Sequence, residues 1–197
     1  RGSNPLSRTM KKKIITIAGK PGSGKSTTAK KLASDLGYTR FSSGDFFRQV
    51  GLDKGMVLTA LTALAERDKS IDELTDQKVR EMGEKENIII ESRLAFYWIP
   101  DSFKIYLDLD ADTCAERMFK DLEINPSRKE SEDCATLSEM KESLTVRFRS
   151  EKKRYMEMYG VDPQDLSQYD LVINTKGTSV EKVCDQIESE YKAWLGL

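Results

Sequence analysis

The sequence contains no histidine, and it contains only three cysteines and five prolines. The lack of histidine excludes imidazole acid–base catalysis and histidine metal ligands. Cys114, Cys134 and Cys184 form no C-x-x-C pair, so neither a disulfide framework nor a cysteine zinc site is expected. No apolar run reaches the roughly 18 residues that cross a bilayer, and a net charge of −1 attracts neither nucleic acid nor membrane. We expect a reduced, cytoplasmic protein without membrane or nucleic-acid partners.

The length of the chain, 197 residues, falls within the roughly 100–200 residues that are usual for one domain. Residues 1–9, RGSNPLSRT, are typical of a vector-derived leader in front of a natural Met10. We therefore predict a single domain over residues 10–197, and we expect it to be a monomer.

Short apolar runs rich in β-branched residues alternate with helical patterns along the chain. This alternation predicts a parallel sheet with helices on both faces. The predicted strands are Lys13–Ala18, Tyr38–Ser42, Asn87–Glu91, Phe103–Leu109 and Asp170–Asn174.

Helix starts are indicated where a threonine is followed three residues later by a glutamate, the pattern of a capping box. The second of the three instances predicts a long helix that ends at Tyr159. The pairs are Thr113 with Glu116, Thr136 with Glu139, and Thr178 with Glu181.

Two segments do not belong to the alternating core. Residues 46–86 are helical and polar, and they lie between the second and third predicted strands. Asp121–Ala135 is polar, contains a proline and has almost no bulky apolar residue. That composition predicts an exposed, mobile segment.

The first predicted strand runs into Gly19–Ser26, GKPGSGKS, which satisfies the pattern G-x-x-x-x-G-K-[ST]. Its glycines allow backbone N–H groups to surround phosphates at the start of the next helix, where Lys25 reaches the β- and γ-phosphates and the Ser26 hydroxyl ligates Mg²⁺. The alternative is an ordinary glycine-rich turn with an exposed lysine. The predicted ATP-binding residues are Gly19, Lys20, Pro21, Gly22, Ser23, Gly24, Lys25, Ser26 and Thr27.

Two further elements follow predicted strands, and ligands gather at the carboxyl ends of parallel strands. Glu91 ends the third strand, where its carboxylate suits Mg²⁺ or the waters of Mg²⁺, and Arg93 follows it. After the second strand comes SSGDFFR, in which Gly44 permits a tight turn, Asp45 can cap the next helix, and Arg48 lies one turn further on. Solvated surface groups are the alternative interpretation of Glu91 and of the arginines.

Taken together, the P-loop, SSGDFFR, the strand ending in E-S-R and the arginines of the later helices resemble the nucleoside monophosphate kinases. The likeness is strongest to archaeal-type cytidylate kinases, because Arg154–Thr175, RYMEMYGVDPQDLSQYDLVINT, matches their C-terminal segment almost throughout. Two positions depart from that pattern: Ser92 stands in place of glycine, and Lys120 in place of a lid arginine.

The resemblance implies a P-loop NTPase fold, a three-layer α/β/α arrangement with a five-stranded parallel sheet. It also implies a small helical acceptor-binding region over residues 46–86 and a mobile lid over residues 118–146. The residues that it assigns to the acceptor site are Gly44, Asp45, Arg48 and Arg93.

The later arginines Arg117, Arg147 and Arg154 are predicted to form a closing lid and to act with Lys25 in catalysis. Arg147 and Arg154 are seven residues apart, so they share one face of the long helix, and the resemblance points to the same positions. The alternative is a solvated face on which Arg147 pairs with Glu151. Under the catalytic reading, truncation to alanine lowers kcat with little change in melting temperature.

The implied reaction is transfer of the γ-phosphoryl group of ATP, with Mg²⁺, to the 5′-phosphate of CMP or dCMP. Two alternatives stay open: a kinase of AMP, dephospho-CoA or a metabolite hydroxyl, and a nucleotide-binding regulator that has lost catalysis. A regulatory GTPase is disfavoured because the sequence lacks both D-x-x-G and N-K-x-D.

Overall fold

A computed structural model describes residues 12–125, 129, 132 and 134–197. The predicted leader therefore lies outside the described residues, as do parts of the predicted lid. The described chain forms a sheet of five parallel strands in the order β2-β3-β1-β4-β5. The strands are β1 Ile14–Gly19, β2 Thr39–Ser42, β3 Ile88–Glu91, β4 Phe103–Asp108 and β5 Leu171–Asn174.

Helices connect the strands, as the alternating pattern predicts. Three of them, α2, α3 and α4, fill the polar region between β2 and β3. The helices are α1 Lys25–Leu36, α2 Ser43–Asp53, α3 Leu58–Ala65, α4 Ser70–Gly83, α5 Ala95–Trp98, α6 Ala111–Ile124, α7 Leu137–Tyr159 and α8 Val180–Leu195.

Helices cover both faces of the sheet. On one face, Leu32 of α1 and Ile187 of α8 pack against the same cluster as Ile17 of β1. On the other face, Val79 of α4 packs with Ile90 of β3 in a second cluster. Burial of these side chains on two opposite faces gives the three-layer α/β/α arrangement and confirms the predicted fold class.

The predicted helix caps are partly correct. Thr136 and Glu139 form the predicted capping box, and α7 ends at Tyr159. The other two predictions are wrong, because Asp110 caps α6 by accepting from Thr113 N–H, and Ser179 caps α8. In both cases the N-cap is the residue with extended backbone that directly precedes the helix, and its side-chain oxygen accepts from a free N–H group of the first turn.

The prediction of an exposed segment over Asp121–Ala135 is correct for Ile124, which is 80% exposed, and wrong for Leu122 and Glu132, which are buried. Helix α6 continues to Ile124, and Leu122 packs with Leu144 of α7 in a cluster between these two helices. Glu132 is buried, with its carboxylate against Arg147. The composition of the segment concealed this, because an acidic side chain is expected in solvent unless a distant cation pairs with it.

Candidate active site

A cavity of about 450 Å³ opens at the carboxyl ends of β1, β2 and β3. Its walls come from the GKPGSGKS loop, the start of α2, helices α3 and α4, the buried face of α7 and the start of α8. The cavity brings together nearly all the elements that carry the predicted site residues. The predicted residues along its walls are Pro21, Gly22, Gly24, Lys25, Ser26, Thr27, Gly44, Arg48, Glu91, Arg93, Arg117, Arg147 and Arg154.

The conformation of the GKPGSGKS loop depends on its glycines. Gly19 has a φ of 139°, and a Cβ there would lie 2.2 Å from the Leu107 carbonyl oxygen. Gly24 has a φ of 92° and occupies the N-cap of α1, where it has no side chain to take up the first N–H groups of the helix. Those N–H groups and the helix dipole are consequently available to an anion in the cavity.

The two lysines of the loop point in different directions. Lys25 Nζ donates to the carbonyl oxygens of Gly19 at 2.8 Å and Lys20 at 2.6 Å, so its ammonium group lies along the loop. Lys20 Nζ instead lies 3.0 Å from Asp108 Oδ1 and is not part of the cavity wall. Gly19 and the fully buried Ser23 also lie outside the cavity wall.

The two predicted metal ligands meet. Ser26 Oγ donates to Glu91 Oε2 at 2.8 Å, and the other oxygen of Glu91 accepts from Arg40 Nε. A hydroxyl oxygen and a buried carboxylate are hard ligands that suit Mg²⁺, which commonly takes one or two protein oxygens together with phosphates and water. No group of three or more Cys, Asp or Glu within the described ranges could hold a metal by itself.

The SSGDFFR element positions its arginine through an aspartate. The expectation that Asp45 caps α2 is wrong, because Ser42 Oγ accepts from Asp45 N–H at 3.2 Å and occupies the N-cap. The Asp45 carboxylate forms ion pairs with Arg48 and with Arg40, outside the cavity wall. Although partial burial acts to raise the pKa of Asp45, these two guanidinium groups lower it.

Arg93, which follows β3, and Arg147 of α7 line the cavity, and each lies against a carboxylate. Arg93 Nε is 2.7 Å from Glu151 Oε2, although its N–H does not point at that oxygen. Arg147 pairs with Glu132 at 2.9 Å rather than with Glu151, its alternative partner on the same helix.

Arg154 is the most firmly held of the cavity arginines. Its Nε lies 2.6 Å from Asp72 Oδ2, and a second nitrogen donates to Ser150 Oγ. Asp72 belongs to α4, so this ion pair joins α4 to α7. Burial raises the pKa of Asp72, and Arg154 opposes that effect.

Arg117 approaches the cavity from the opposite side. It lies on α6, where one nitrogen donates to the Thr175 carbonyl oxygen at 3.0 Å and another lies 3.5 Å from the Gly22 carbonyl oxygen. Its contacts are thus with the GKPGSGKS loop and the end of β5. All three predicted lid arginines line one cavity, but Arg117 is anchored to the sheet side of it.

The wall formed by α3 and α4 contains polar residues that were not among the predicted site residues. Asp72 and Asp76 are 3% and 4% exposed, and they line the cavity with Thr62 and Thr75. Tyr159 Oη donates to Asp76 Oδ2 at 2.8 Å. Burial raises the pKa of Asp76 to about 6, an effect that Tyr159 opposes. The signal in the sequence is a pair of acids one turn apart on the buried face of a helix.

Ser92, where the family pattern has glycine, fits without strain. Asn87 is the residue other than glycine that has a positive φ in the described chain, so Ser92 has an ordinary backbone conformation. Its Oγ accepts from Leu94 N–H at 3.3 Å. Lys120, the other departure, is exposed on α6 and is not part of the cavity wall.

Within the described residues, no helix is both long and apolar enough to cross a membrane. Comparison of folds finds a shikimate kinase from Acinetobacter baumannii with a TM-score of 0.60 at 13% identity, covering 98% of both chains. An uncharacterized protein from Eubacterium ventriosum has a TM-score of 0.57 at 23% identity, covering 89% of this chain and 96% of that one. At these identities the likeness concerns the fold alone.

Comparison of sequences is more specific. The chain is 38% identical to a cytidylate kinase from Natronomonas pharaonis, over 92% of this chain and 90% of the relative. It is 34% identical to a cytidylate kinase from Methanosphaera stadtmanae, over 89% of this chain and 95% of the relative. The model of the cytidylate kinase-like family matches residues 14–177, which include the GKPGSGKS loop and the arginines of the cavity. The chain therefore belongs to the cytidylate kinase-like family, a family of phosphotransferases.

Proposed function

We propose that this protein transfers the γ-phosphoryl group of ATP to the 5′-phosphate of CMP or dCMP, giving ADP and a cytidine diphosphate. The observation that carries the proposal is a single cavity that joins the GKPGSGKS loop to Arg48 and Arg93. A phosphate-binding loop for the donor and separate arginines for a second phosphate are the parts that such a transfer needs. The cytidylate kinases among its relatives support the choice of base.

The first turn of α1 and Lys25 would bind the phosphates of the donor. The N–H groups that follow Gly24 would donate hydrogen bonds to the phosphate oxygens, and Lys25 would turn from the loop carbonyls toward the β- and γ-phosphates. Ser26 and Glu91 would hold Mg²⁺, which when bound neutralises charge on the phosphates.

Arg48 and Arg93 would bind the phosphate of the acceptor. Each would release its present carboxylate partner, Asp45 or Glu151, to do so. That phosphate is already an anion near neutral pH, so the nucleophile needs no general base, in agreement with a sequence that has no histidine. The remaining tasks are to align the two phosphates, to spread positive charge from Arg147 and Arg154 over the transferring group, and to exclude water.

The test is steady-state ADP formation with CMP, dCMP, UMP, AMP, GMP and dephospho-CoA at matched ATP and Mg²⁺. We expect the highest kcat/KM with CMP or dCMP and poor activity with GMP. A higher value with AMP or dephospho-CoA would retain the phosphotransferase and reject the cytidine assignment. A protein that binds nucleotides without turnover on any acceptor would be a regulator, and it would reject the proposal as a whole.

A further inference from the structure

The end of the cavity formed by α3 and α4 is lined by hydrogen-bond acceptors. Thr62 Oγ1 donates its proton to the Leu58 carbonyl oxygen at 2.8 Å, and Thr75 Oγ1 donates to the Ile71 carbonyl oxygen at 3.1 Å. These hydroxyl protons are used within the helices, so the hydroxyl oxygens face a ligand as acceptors. The carboxylates of α4 add further acceptors at the same end.

The two carboxylates of α4 have different partners. Asp72 is paired with Arg154 through both of its oxygens, at 2.6 and 3.4 Å. Asp76, one turn further along, receives the hydroxyl of Tyr159, a neutral group, at 2.8 Å. The direct partner of this nearly fully buried carboxylate is a hydroxyl, and the cation that acts on it, Arg80, is not within ion-pair distance. Such incompletely compensated groups cost folding free energy and concentrate at functional sites.

The position of Asp76 relative to the phosphate-binding groups suggests what it faces. The donor loop and Arg48 come from the start of α1 and from α2, whereas Asp76 lies on the α4 wall of the same cavity. A monophosphate whose phosphate is held by Arg48 and Arg93 has its ribose and base left to occupy the rest of the acceptor side. On that side, the wall formed by α3 and α4 contributes the polar residues. Two apolar residues, Leu58 of α3 and Phe47 of α2, also line the cavity.

We propose that Asp76 is a specificity-determining residue, whose carboxylate accepts a hydrogen bond from the exocyclic amino group of the acceptor base and so favours cytosine over uracil. The proposal rests on the proposed function. Cytosine presents an N4 amino donor where uracil presents an O4 carbonyl acceptor. A carboxylate bonds the first and repels the second, and a buried site leaves no water to relieve the mismatch.

Adenine also carries an amino group at its Watson–Crick edge, so this contact separates cytosine from uracil. The choice between cytosine and adenine is left to the size of the cavity and to the acceptor panel above. The carboxylate of Asp76 therefore affects the ratio of activities with CMP and UMP, two substrates whose bases differ in one functional group.

The test compares kcat/KM for CMP and UMP in the wild-type protein and in Asp76→Asn. An amide side chain can turn its N–H₂ group toward O4 of uracil, so we expect the CMP/UMP ratio to fall at least about tenfold, with part of the change coming from a gain with UMP. The matched control is Glu73→Gln, the same chemical change at an exposed position of the same helix, and its ratio should equal that of the wild type. Melting temperatures of all three proteins check folding.

Two results would overturn the proposal. One is a wild-type protein that uses UMP as well as CMP, a measurement that needs no variant. The other is a folded Asp76→Asn protein in which both substrates lose activity equally, because a merely structural aspartate would produce that pattern. If no nucleotide is phosphorylated at all, the proposed function fails by itself. Calorimetric titration of CMP and UMP then tests base recognition separately, and equal affinities in the wild type would reject it.

Discussion

At its two ends the cavity holds positive charge in two different ways. At the proposed donor end, Lys25 donates to the carbonyl oxygens of Gly19 and Lys20, which are six and five residues away in the chain. At the proposed acceptor end, Arg154 donates to the Asp72 carboxylate, 82 residues away. The donor end is thus encoded by one short stretch of sequence and the acceptor end by contacts between distant elements. Substitutions should consequently affect catalysis alone at the first end, and catalysis together with stability at the second.

The largest effect is expected from Arg154→Ala. Both partners of the Arg154–Asp72 pair are buried, so the variant leaves an aspartate carboxylate without its cation and should lose about 3–5 kcal/mol of unfolding free energy. This revises the sequence-based expectation that truncation leaves the melting temperature nearly unchanged. Urea denaturation measures the loss, and Lys153→Ala, at an exposed neighbouring position, is the control.

A double variant separates the structural and catalytic roles of Arg154. Asp72→Leu with Arg154→Met replaces the pair by apolar side chains of similar length, and we expect it to recover most of the lost stability. Its kcat should stay low if Arg154 neutralises the transferring phosphoryl group. Normal kcat in this folded double variant would remove Arg154 from the mechanism, and unchanged stability in Arg154→Ala would contradict the buried pair.

Lys25→Ala tests the donor end. Its ammonium group bonds carbonyl oxygens rather than a buried carboxylate, so we expect an unchanged melting temperature and a kcat at least about 100-fold lower, equivalent to about 2.7 kcal/mol. The matched control is Lys20→Ala in the same loop, whose side chain pairs with Asp108 away from the cavity. That control should retain kcat to within a few-fold. Near-normal kcat in Lys25→Ala would exclude this lysine from the chemistry.

Arg48→Ala and Arg93→Ala test which end binds the acceptor. Each loses a charge-assisted contact worth roughly 1.5–3 kcal/mol, so KM for the monophosphate should rise about tenfold or more. KM for ATP should change little, because the donor loop is intact. Arg67→Ala, at an exposed position between α3 and α4, serves as the control. Equal changes in both KM values, or a change for ATP alone, would show that these arginines do not belong to the acceptor site.

The smallest effect is expected from Asp76→Asn, as a change in the pH dependence of stability. The pKa of Asp76 is raised by burial to about 6 in the folded protein, so ionisation above that pH disfavours the folded state. The groups facing it are Asp72 and Arg80 on α4, Tyr159 on α7 and Trp98 on α5. The shift from 3.8 to about 6 bounds this cost at about 3 kcal/mol, and the weaker hydrogen bond from Tyr159 to an amide offsets part of it. The variant should therefore gain about 1 kcal/mol at pH 8, and the gain should vanish toward pH 3, below both pKa values.

Melting curves of Asp76→Asn and wild type at pH 8 and pH 3 measure this difference. Glu73→Gln again supplies the control, since an exposed carboxylate should give no such trend. A variant that is less stable than wild type at pH 8 would show that the Tyr159 hydrogen bond outweighs the cost of burying the charge. A gain restricted to high pH would mean that the acceptor end keeps a carboxylate at the expense of stability.

The sequence predicts the elements of this protein well because their causes are local. Five apolar runs become the five strands with differences of about one residue at their ends, and the spacing of GKPGSGKS places Lys25 and Ser26 in the cavity. Cap positions are less certain from sequence, because neighbouring residues such as Thr178 and Ser179 both offer a side-chain oxygen. There the backbone of the preceding loop decides which oxygen is used.

The acceptor wall could not be predicted from the sequence in the same way. The pairs Asp72–Arg154 and Asp76–Tyr159 join α4 to α7, and their sequence separations of 82 and 83 residues mean that only the topology brings them together. The sequence nevertheless contains one signal of this polar wall. Asp72 and Asp76 lie between Ile71 and Val79 on the buried face of α4, and acids in such a stripe are a signal of a polar site.

The carboxylates that lie against Arg48, Arg93, Arg147 and Arg154 should also influence which anions bind in the cavity. With these partners in place, the guanidinium groups of the unliganded cavity are already compensated, so a small free anion gains little by displacing any single carboxylate. A nucleotide is different, because it presents several negative charges on one rigid arrangement and adds the contacts of its base and sugar. We therefore expect these counter-ions to disfavour free phosphate and sulfate relative to a nucleotide, which can replace several carboxylate partners at once.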